Sequence, residues 1–200
     1  MRVAVPQNSA KKLMQWSRNL LFMGAAGLLG YCGFVLADTW MYQRQASELF
    51  DRAHFQVAAI SSPGVDSNHG LLGRMDIPRL GVSVIVAEGT DDRTLQRAGG
   101  HIAGTAFPGQ QGNVGIAGHR DTLFRPLRNI RQNDVITVTT LAGAYRYRVT
   151  STEIVSPADV TVLESDGHEV LTLVTCYPFY FVGPAPDRFI VRAARVMGNT

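Results

Sequence analysis

Cysteine is scarce in this chain, which has only Cys32 and Cys176 among its 200 residues. Cys32 lies inside a long apolar run, so the polar part of the sequence holds one thiol and no disulfide partner for it. Ligand sets are missing too, because no group of His, Cys and Asp has the spacing of a metal site. The acidic stretch EGTDDRT is typical of a helix cap rather than of a calcium loop. We therefore expect no metal and no other cofactor.

An excess of positive charge is likewise missing from most of the chain. The net charge is +3, but Arg2, Lys11, Lys12 and Arg18 all precede the first apolar run, and no acidic residue does. Without these four residues, 15 Lys and Arg face 16 Asp and Glu. The basic character belongs to the N-terminal tail, so the sequence predicts no nucleic-acid binding.

A stretch without charge covers the 18 residues from Leu20 to Ala37. As a helix it would extend about 27 Å, close to the roughly 30 Å hydrocarbon core of a bilayer. The basic residues before it favour a cytoplasmic N-terminus. We favour a retained signal anchor. A signal peptide cleaved after the small-residue sequence 35–37 and a buried helix of a soluble protein are the alternatives.

The stretch from the apolar run to the linker is expected to be helical, before a folded domain begins. A helix start is predicted at Asp38 or Thr39, and the Pro- and Gly-containing stretch 61–70 is typical of a linker. Four regions result: a cytoplasmic basic tail at 1–19, a transmembrane signal anchor at 20–37, a helical stalk and linker at 38–70, and a folded domain at 71–198.

The folded domain is predicted to be all-β. Seven short runs are rich in Val, Ile, Thr and Tyr and are bounded by turn-forming residues, which favours a closed or nearly closed barrel. Short helical connectors are expected at 90–98, 124–130 and 156–163. The predicted strands are LLGRMDI, VSVIVAEG, GNVGIAGH, DVITVTTL, AYRYRVTSTEIV, EVLTLVTC and RFIVRAARV.

The thiol of Cys176 ends one of these strands, and two interpretations are open for it. It could be an inert buried residue or a nucleophile with a base beside it. His101 and His119 are the candidate bases, and His119 ends the predicted strand GNVGIAGH. Arg188 opens the next strand, so antiparallel pairing would bring it back beside Cys176. A structural role is the alternative for each of these residues.

Three motifs resemble those of the sortase family. TLVTC, at 172–176, is similar to the TLxTC signature, GNVGIAGHR, at 112–120, resembles the histidine region, and DRFIVRAARV resembles the arginine strand. The likeness covers roughly residues 71–196, and the N-terminal anchor also fits. GHRDTLFRPLRNI and the sequence after TLVTC are most similar to class D sortases.

The resemblance implies a closed eight-stranded β-barrel with short connecting helices, preceded by a transmembrane helix. It implies a cysteine transpeptidase in which Cys176 is the nucleophile, His119 the general acid and base, and Arg188 the transition-state stabiliser. Ala117 and Thr175 fall where residues of the substrate groove are expected. No metal is implied.

The partners implied are LPxTG-like sorting signals of secreted proteins and an amine acceptor, either a cell-wall precursor or a pilin lysine. The location implied is the cell membrane, with a single pass and an extracytoplasmic catalytic domain. Two other functions compete: a membrane-anchored β-barrel that binds without catalysis, and a cysteine protease that transfers to water alone.

Overall fold

The computed structural model describes residues 7–59, 70–181 and 183–196. The chain divides into two compact units between Met41 and Tyr42. Most of the predicted linker, residues 61–69, lies outside the described residues.

The first helix, α1, runs from Gln7 to Ala59 without interruption. The helix start predicted at Asp38 or Thr39 is wrong, because the hydroxyl of Thr39 donates to the carbonyl of Val35 at 3.1 Å inside the helix. Within the described residues, one helical stretch, Met14–Leu49, is long and apolar enough to cross a membrane. None of its most apolar 18-residue window is buried within the chain.

The folded domain is a closed barrel of eight strands in the order β1-β2-β3-β4-β7-β8-β6-β5. This confirms the predicted fold. The chain also forms a short helix α2 (Asp92–Arg97) and 3₁₀ turns at Pro78–Leu80, Arg125–Asn129 and Thr161–Leu163. The strands are β1 (Leu71–Ile77), β2 (Val82–Glu88), β3 (Gly99–His101), β4 (Asn113–Gly118), β5 (Val135–Thr140), β6 (Gly143–Val155), β7 (Val170–Tyr177) and β8 (Asp187–Arg195).

One strand, β3, was not predicted. It has three residues, two of them glycine, so it lacks the β-branched and aromatic side chains that identify a strand. Gly100 fits there because a Cβ atom would lie 2.3 Å from the carbonyl oxygen of Gly89. The pairing of β3 with β4 closes the barrel between β2 and the strand that precedes His119.

Alternate residues of each strand fill the barrel, as a period of two requires. On β7 the inward residues Leu171 and Leu173 are fully buried in the main core, with Ile116 of β4 beside them. The intervening residues Val174 and Cys176 are half-buried and face outward. The core therefore places the thiol on the outer surface of the sheet rather than in the interior.

The part of α1 around Gln43 and Ala46 packs on the outside of β2. The amide oxygen of Gln43 accepts the N–H of Ile85 at 3.0 Å, and its amide nitrogen donates to the carbonyl of Arg97. Ala46 is 7% exposed in a small cluster with Ile85 and the neighbouring residues Ala87 and Ala98. This part of the predicted stalk is thus packed against the barrel and buries the outer face of β2.

Candidate active site

Two of the predicted catalytic residues are direct partners across antiparallel strands. Cys176 is the penultimate residue of β7 and pairs with Arg188, the second residue of β8. Their Cα atoms are therefore about 4.5–5.5 Å apart, and their side chains share one face of the sheet. Both residues are half-buried, so the thiol can be reached from solvent.

His119 reaches the same end of the barrel from the other side of β7. Strands β4 and β7 run parallel, and Gly118 pairs with Thr175. The next residues along the two strands, His119 and Cys176, therefore lie side by side where the strands end. The structure places the residues His119, Cys176 and Arg188 next to one another at the ends of three neighbouring strands.

The backbone before His119 is held by two contacts. The hydroxyl of Thr175 donates to the carbonyl of Gly118 at 2.7 Å, and the amide of Phe124 donates to the carbonyl of His119 at 3.0 Å. The Phe124 ring is fully buried and lies directly against Gly118, where a Cβ atom would come within 2.7 Å of two ring carbons. Glycine is required here by a close approach, and this packing fixes where the imidazole begins.

Arg188 is oriented by the backbone next to it. Its Nη1 atom donates to the carbonyls of Asp187 at 3.0 Å and of Ala185 at 3.4 Å. Among the described residues no carboxylate forms an ion pair with Arg188. Its charge is therefore available to an oxygen that becomes negative near Cys176.

The two predicted groove residues lie in different places. Ala117 is half-buried, pairs with Val174, and faces outward beside the three catalytic candidates. Thr175 is 2% exposed and faces the interior, with its hydroxyl committed to Gly118. The side chain of Ala117 is therefore accessible at the surface, whereas that of Thr175 is not and holds the strand end instead.

The other candidate histidine, His101, is a structural residue of β3. It is 1% exposed, its Nδ1 atom lies 2.9 Å from a carboxylate oxygen of Glu88, and its Nε2 atom lies 3.0 Å from the carbonyl of Ala106. The ring also stacks on Phe107, with 4.7 Å between the ring centroids. These contacts hold the loop after β3 and leave neither ring nitrogen for a substrate.

The acidic stretch after β2 forms a helix cap, as predicted. Asp91 accepts the N–H groups of Arg93 and Thr94 at the start of α2. The hydroxyl of Thr94, which donates at 2.7 Å, and the capping amides lower the pKa of Asp91 below its usual value. In the described part of the chain, no three His, Cys, Asp or Glu side chains are grouped so that they could hold a metal ion.

The sequence analysis did not assign a role to one residue next to the site, Arg120. Arg120 follows His119, and its Nη2 atom donates to the carbonyls of Phe181 at 2.8 Å and Gly183 at 2.9 Å. Both acceptors belong to the loop between β7 and β8. Its place directly after the histidine was the signal available in the sequence, but the loop partners are over sixty positions away.

Comparison with known proteins agrees with this geometry. A cysteine with a histidine beside it is the arrangement that nucleophilic catalysis by a thiol requires. The family model described as "Sortase domain" matches residues 75–196. The chain therefore belongs to the sortase family, whose members are cysteine transpeptidases.

Individual relatives support the same assignment. Sortase D of Bacillus subtilis (strain 168) is 31% identical over 196 residues, which cover 88% of this chain and 96% of the relative. A Clostridium perfringens sortase D5 transpeptidase structure is 28% identical, with a TM-score of 0.61, covering 78% of this chain and 97% of the other. The structure of sortase C1 from Streptococcus agalactiae is 30% identical, with a TM-score of 0.62, and the match covers 70% of this chain and 74% of the other. The expected likeness to class D sortases is confirmed.

Proposed function

We propose that this sortase is anchored in the cell membrane, cleaves an LPxTG-like sorting signal on secreted proteins and joins the new acyl end to an amine. One observation carries this proposal. Cys176 is the cross-strand partner of Arg188 and lies beside the residue that follows Gly118, namely His119. A half-exposed thiol, an imidazole and a guanidinium are the groups that acyl transfer through a thioester needs.

In the first half of the reaction the Cys176 thiolate attacks the carbonyl carbon of the scissile Thr–Gly bond. The carbonyl oxygen becomes negative in the tetrahedral intermediate, and the guanidinium of Arg188 donates to it. His119 gives a proton to the glycine nitrogen, because an amide nitrogen leaves poorly as an anion. The C–N bond breaks, the glycine end leaves as an amine, and the threonine carbonyl remains as a thioester.

In the second half an amine attacks the thioester carbonyl. His119 takes the proton from the incoming nitrogen, the C–S bond breaks, and the thiolate returns. A cell-wall precursor amine and a pilin lysine both fit this chemistry. Water in place of the amine would give hydrolysis, so the nature of the acceptor decides between a ligase and a protease.

The groove for the sorting signal is proposed to follow the outer face of β4 and β7. Ala117 and Val174 are paired there, half-buried, next to the catalytic residues. The small side chain of Ala117 leaves room for an extended peptide beside the thiol. Thr175 supports this groove from beneath through its hydrogen bond to Gly118.

The membrane location rests on α1. Its apolar stretch is long enough to span a bilayer, and the basic residues before it favour a cytoplasmic N-terminus. The barrel would then lie outside the cytoplasm, where secreted proteins and wall precursors are found. We propose the retained anchor over a cleaved signal peptide because the uncharged run is longer than the usual h-region.

Mass spectrometry of peptide products tests the proposed activity. The purified protein is incubated with a library of LPxTG-like peptides, with and without glycine or diaminopimelate-type amines. We expect ligated products that require the amine and disappear in Cys176→Ala. Cleavage without ligation would identify a protease. Absence of turnover, together with no labelling of Cys176 by a vinyl sulfone sorting peptide, would identify a binding module.

A further inference from the structure

The segment after His119 contacts the loop between β7 and β8 at two points. At the first, Arg120 donates from Nη2 to two backbone carbonyls of the loop, and its guanidinium carbon lies 5.9 Å from the centroid of the Phe181 ring. At the second, the guanidinium carbon of Arg128 lies 5.4 Å from the centroid of the Tyr180 ring. We call the residues 178–186 the β7–β8 loop.

The middle of the loop has few contacts of its own. Tyr180 is 76% exposed and Phe181 is 47% exposed, so neither ring anchors the loop in the core. Within the described residues, the loop's internal backbone bond is from Phe181 N–H to the carbonyl of Pro178 at 3.3 Å. Phe179 packs on the main core, with its ring centroid 5.3 Å from that of Phe189, and Ala185 accepts a hydrogen bond from Arg188. Hydrogen bonds from a charged donor are stronger than neutral ones, so the two from Arg120 are the strong attachment of the middle of the loop, at Phe181 and Gly183.

Arg120 differs from an ordinary surface arginine because part of its guanidinium is buried. Its Nη1 atom is buried and has no hydrogen-bond partner among the described residues. In the described part of the chain no carboxylate forms an ion pair with it either. Burying a charged donor in this way costs free energy.

The connectivity gives this contact its meaning. Arg120 is covalently next to His119, while the loop that it holds begins after Cys176 and Tyr177 and ends at Asp187, just before Arg188. The guanidinium of Arg120 thus links the segment after His119 to the loop that joins Cys176 to Arg188.

We propose that Arg120 is a positioning residue for acyl transfer, which keeps the backbone after His119 in register with the β7–β8 loop. This inference rests on the proposed function of the three catalytic candidates. Arg120 does not touch the reacting atoms; it sets the distance between the imidazole and the thiol. A misplacement of about 1 Å is enough to cost roughly 100-fold in rate.

The test compares Arg120→Met, Arg120→Lys and the control Arg125→Met in the full-length protein. Arg125 is an exposed arginine of the same segment. We expect Arg120→Met to lower kcat by about 10- to 100-fold with a smaller change in KM, because binding along the outer face of β4 and β7 is retained. Arg120→Lys should recover part of the loss, since a lysine keeps the charge but not the fork of donors. Arg125→Met should behave as the wild type.

Hydrogen exchange supplies a readout that does not depend on turnover. In Arg120→Met the amide of Phe181 should exchange at least several-fold faster, while core amides of β7 stay protected. Should Arg120→Met fail to fold, Arg128→Met removes only the contact with Tyr180 and should show the same changes to a smaller extent.

Three outcomes would overturn the inference. They are an unchanged kcat in Arg120→Met, a loss of kcat without faster exchange in the loop, and an equal loss in Arg125→Met. The proposed function fails separately, if Cys176→Ala retains turnover or if the wild type shows none. Faster loop exchange with normal kcat would leave the proposed function standing and remove the positioning role of Arg120.

Discussion

Gly118 determines where His119 can sit, because the space beside it is already taken by the buried ring of Phe124. We expect Gly118→Ala to push the ring or the strand end and to destabilise the protein by about 1–3 kcal/mol. The catalytic rate should fall as well, since the imidazole follows directly. Thermal unfolding and peptide turnover measure the two effects.

A double variant separates crowding from other causes. Gly118→Ala combined with Phe124→Leu should be less destabilised than the sum of the single changes, because the smaller side chain makes room for the new methyl group. Strict additivity would mean that the Phe124 ring is not what excludes a larger residue at position 118.

Arg188 is expected to contribute to the chemical step rather than to substrate binding. Arg188→Ala should lower kcat by about 100- to 1000-fold, the loss typical of a missing oxyanion donor. Arg192→Ala is the matched control, because Arg192 lies on the same face of β8 four residues further along. A variant at position 188 with normal kcat and a raised KM would reassign the arginine to ground-state binding.

The strands and the candidate residues of the site could be predicted from the sequence more completely than the contacts between distant segments. The seven predicted strands contain strong β-branched patterns, and their motifs identified Cys176, His119 and Arg188. The strand β3 could not be predicted because it contains two glycines, which fit where a side chain would be too close to its neighbours, and no side chain with a strand preference. The role of Arg120 depends on carbonyls of a distant loop, which a linear pattern does not record.

The packing of α1 on β2 could not be predicted from the sequence either, since a helix with few glycines and prolines is equally typical of a free stalk. The N–H of Ile85 lies where β3 does not yet pair with β2, so Gln43 supplies the missing acceptor. Gln43→Ala should therefore destabilise the barrel by about 1–3 kcal/mol. Circular dichroism of the detergent-solubilised protein can measure this.

Leu49→Ala is the matched control on the same helix, because Leu49 is 57% exposed and its truncation should change stability by less than about 0.5 kcal/mol. Equal stability of the Gln43→Ala variant and the wild type would show that the helix does not pack on β2 in solution.

Two turns of the barrel are joined by an ion pair with a defined pH dependence. Asp134 is 7% exposed and accepts hydrogen bonds from Arg79 and from the N–H of Arg131 at 2.8 Å. The bonds from Arg79, and then the backbone donor, hold the pKa of Asp134 below its usual value of 3.8. The stabilisation is therefore present above about pH 4 and is lost as the pH falls below that value.

Asp134→Asn should lower Tm by roughly 3–5 °C at pH 7, and the difference from the wild type should narrow below pH 4. In an Arg79→Met background the same substitution should cost less, because the guanidinium is already gone. A Tm difference that stays constant from pH 7 to pH 3 would contradict the assigned cause.

At the level of the whole chain, the proposed anchor makes a prediction about location. Deletion of residues 20–37 should move the protein from the membrane to the soluble fraction, and external protease should reach the barrel of the intact protein in spheroplasts. Cell fractionation with immunoblotting tests both statements. A wild-type protein of reduced mass in the soluble fraction would indicate cleavage of the signal sequence instead.

The strand that carries Arg188 is paired with both β6 and β7, and it enters the barrel after every other described strand has been made. If the chain is exported from its N-terminal side, as the proposed anchor requires, His119 and Cys176 emerge before Arg188. The strand that carries Cys176 lies between the strand before His119 and the strand of Arg188. On the proposed function, a copy whose Arg188 has not yet emerged would lack its oxyanion stabiliser and should not catalyse acyl transfer.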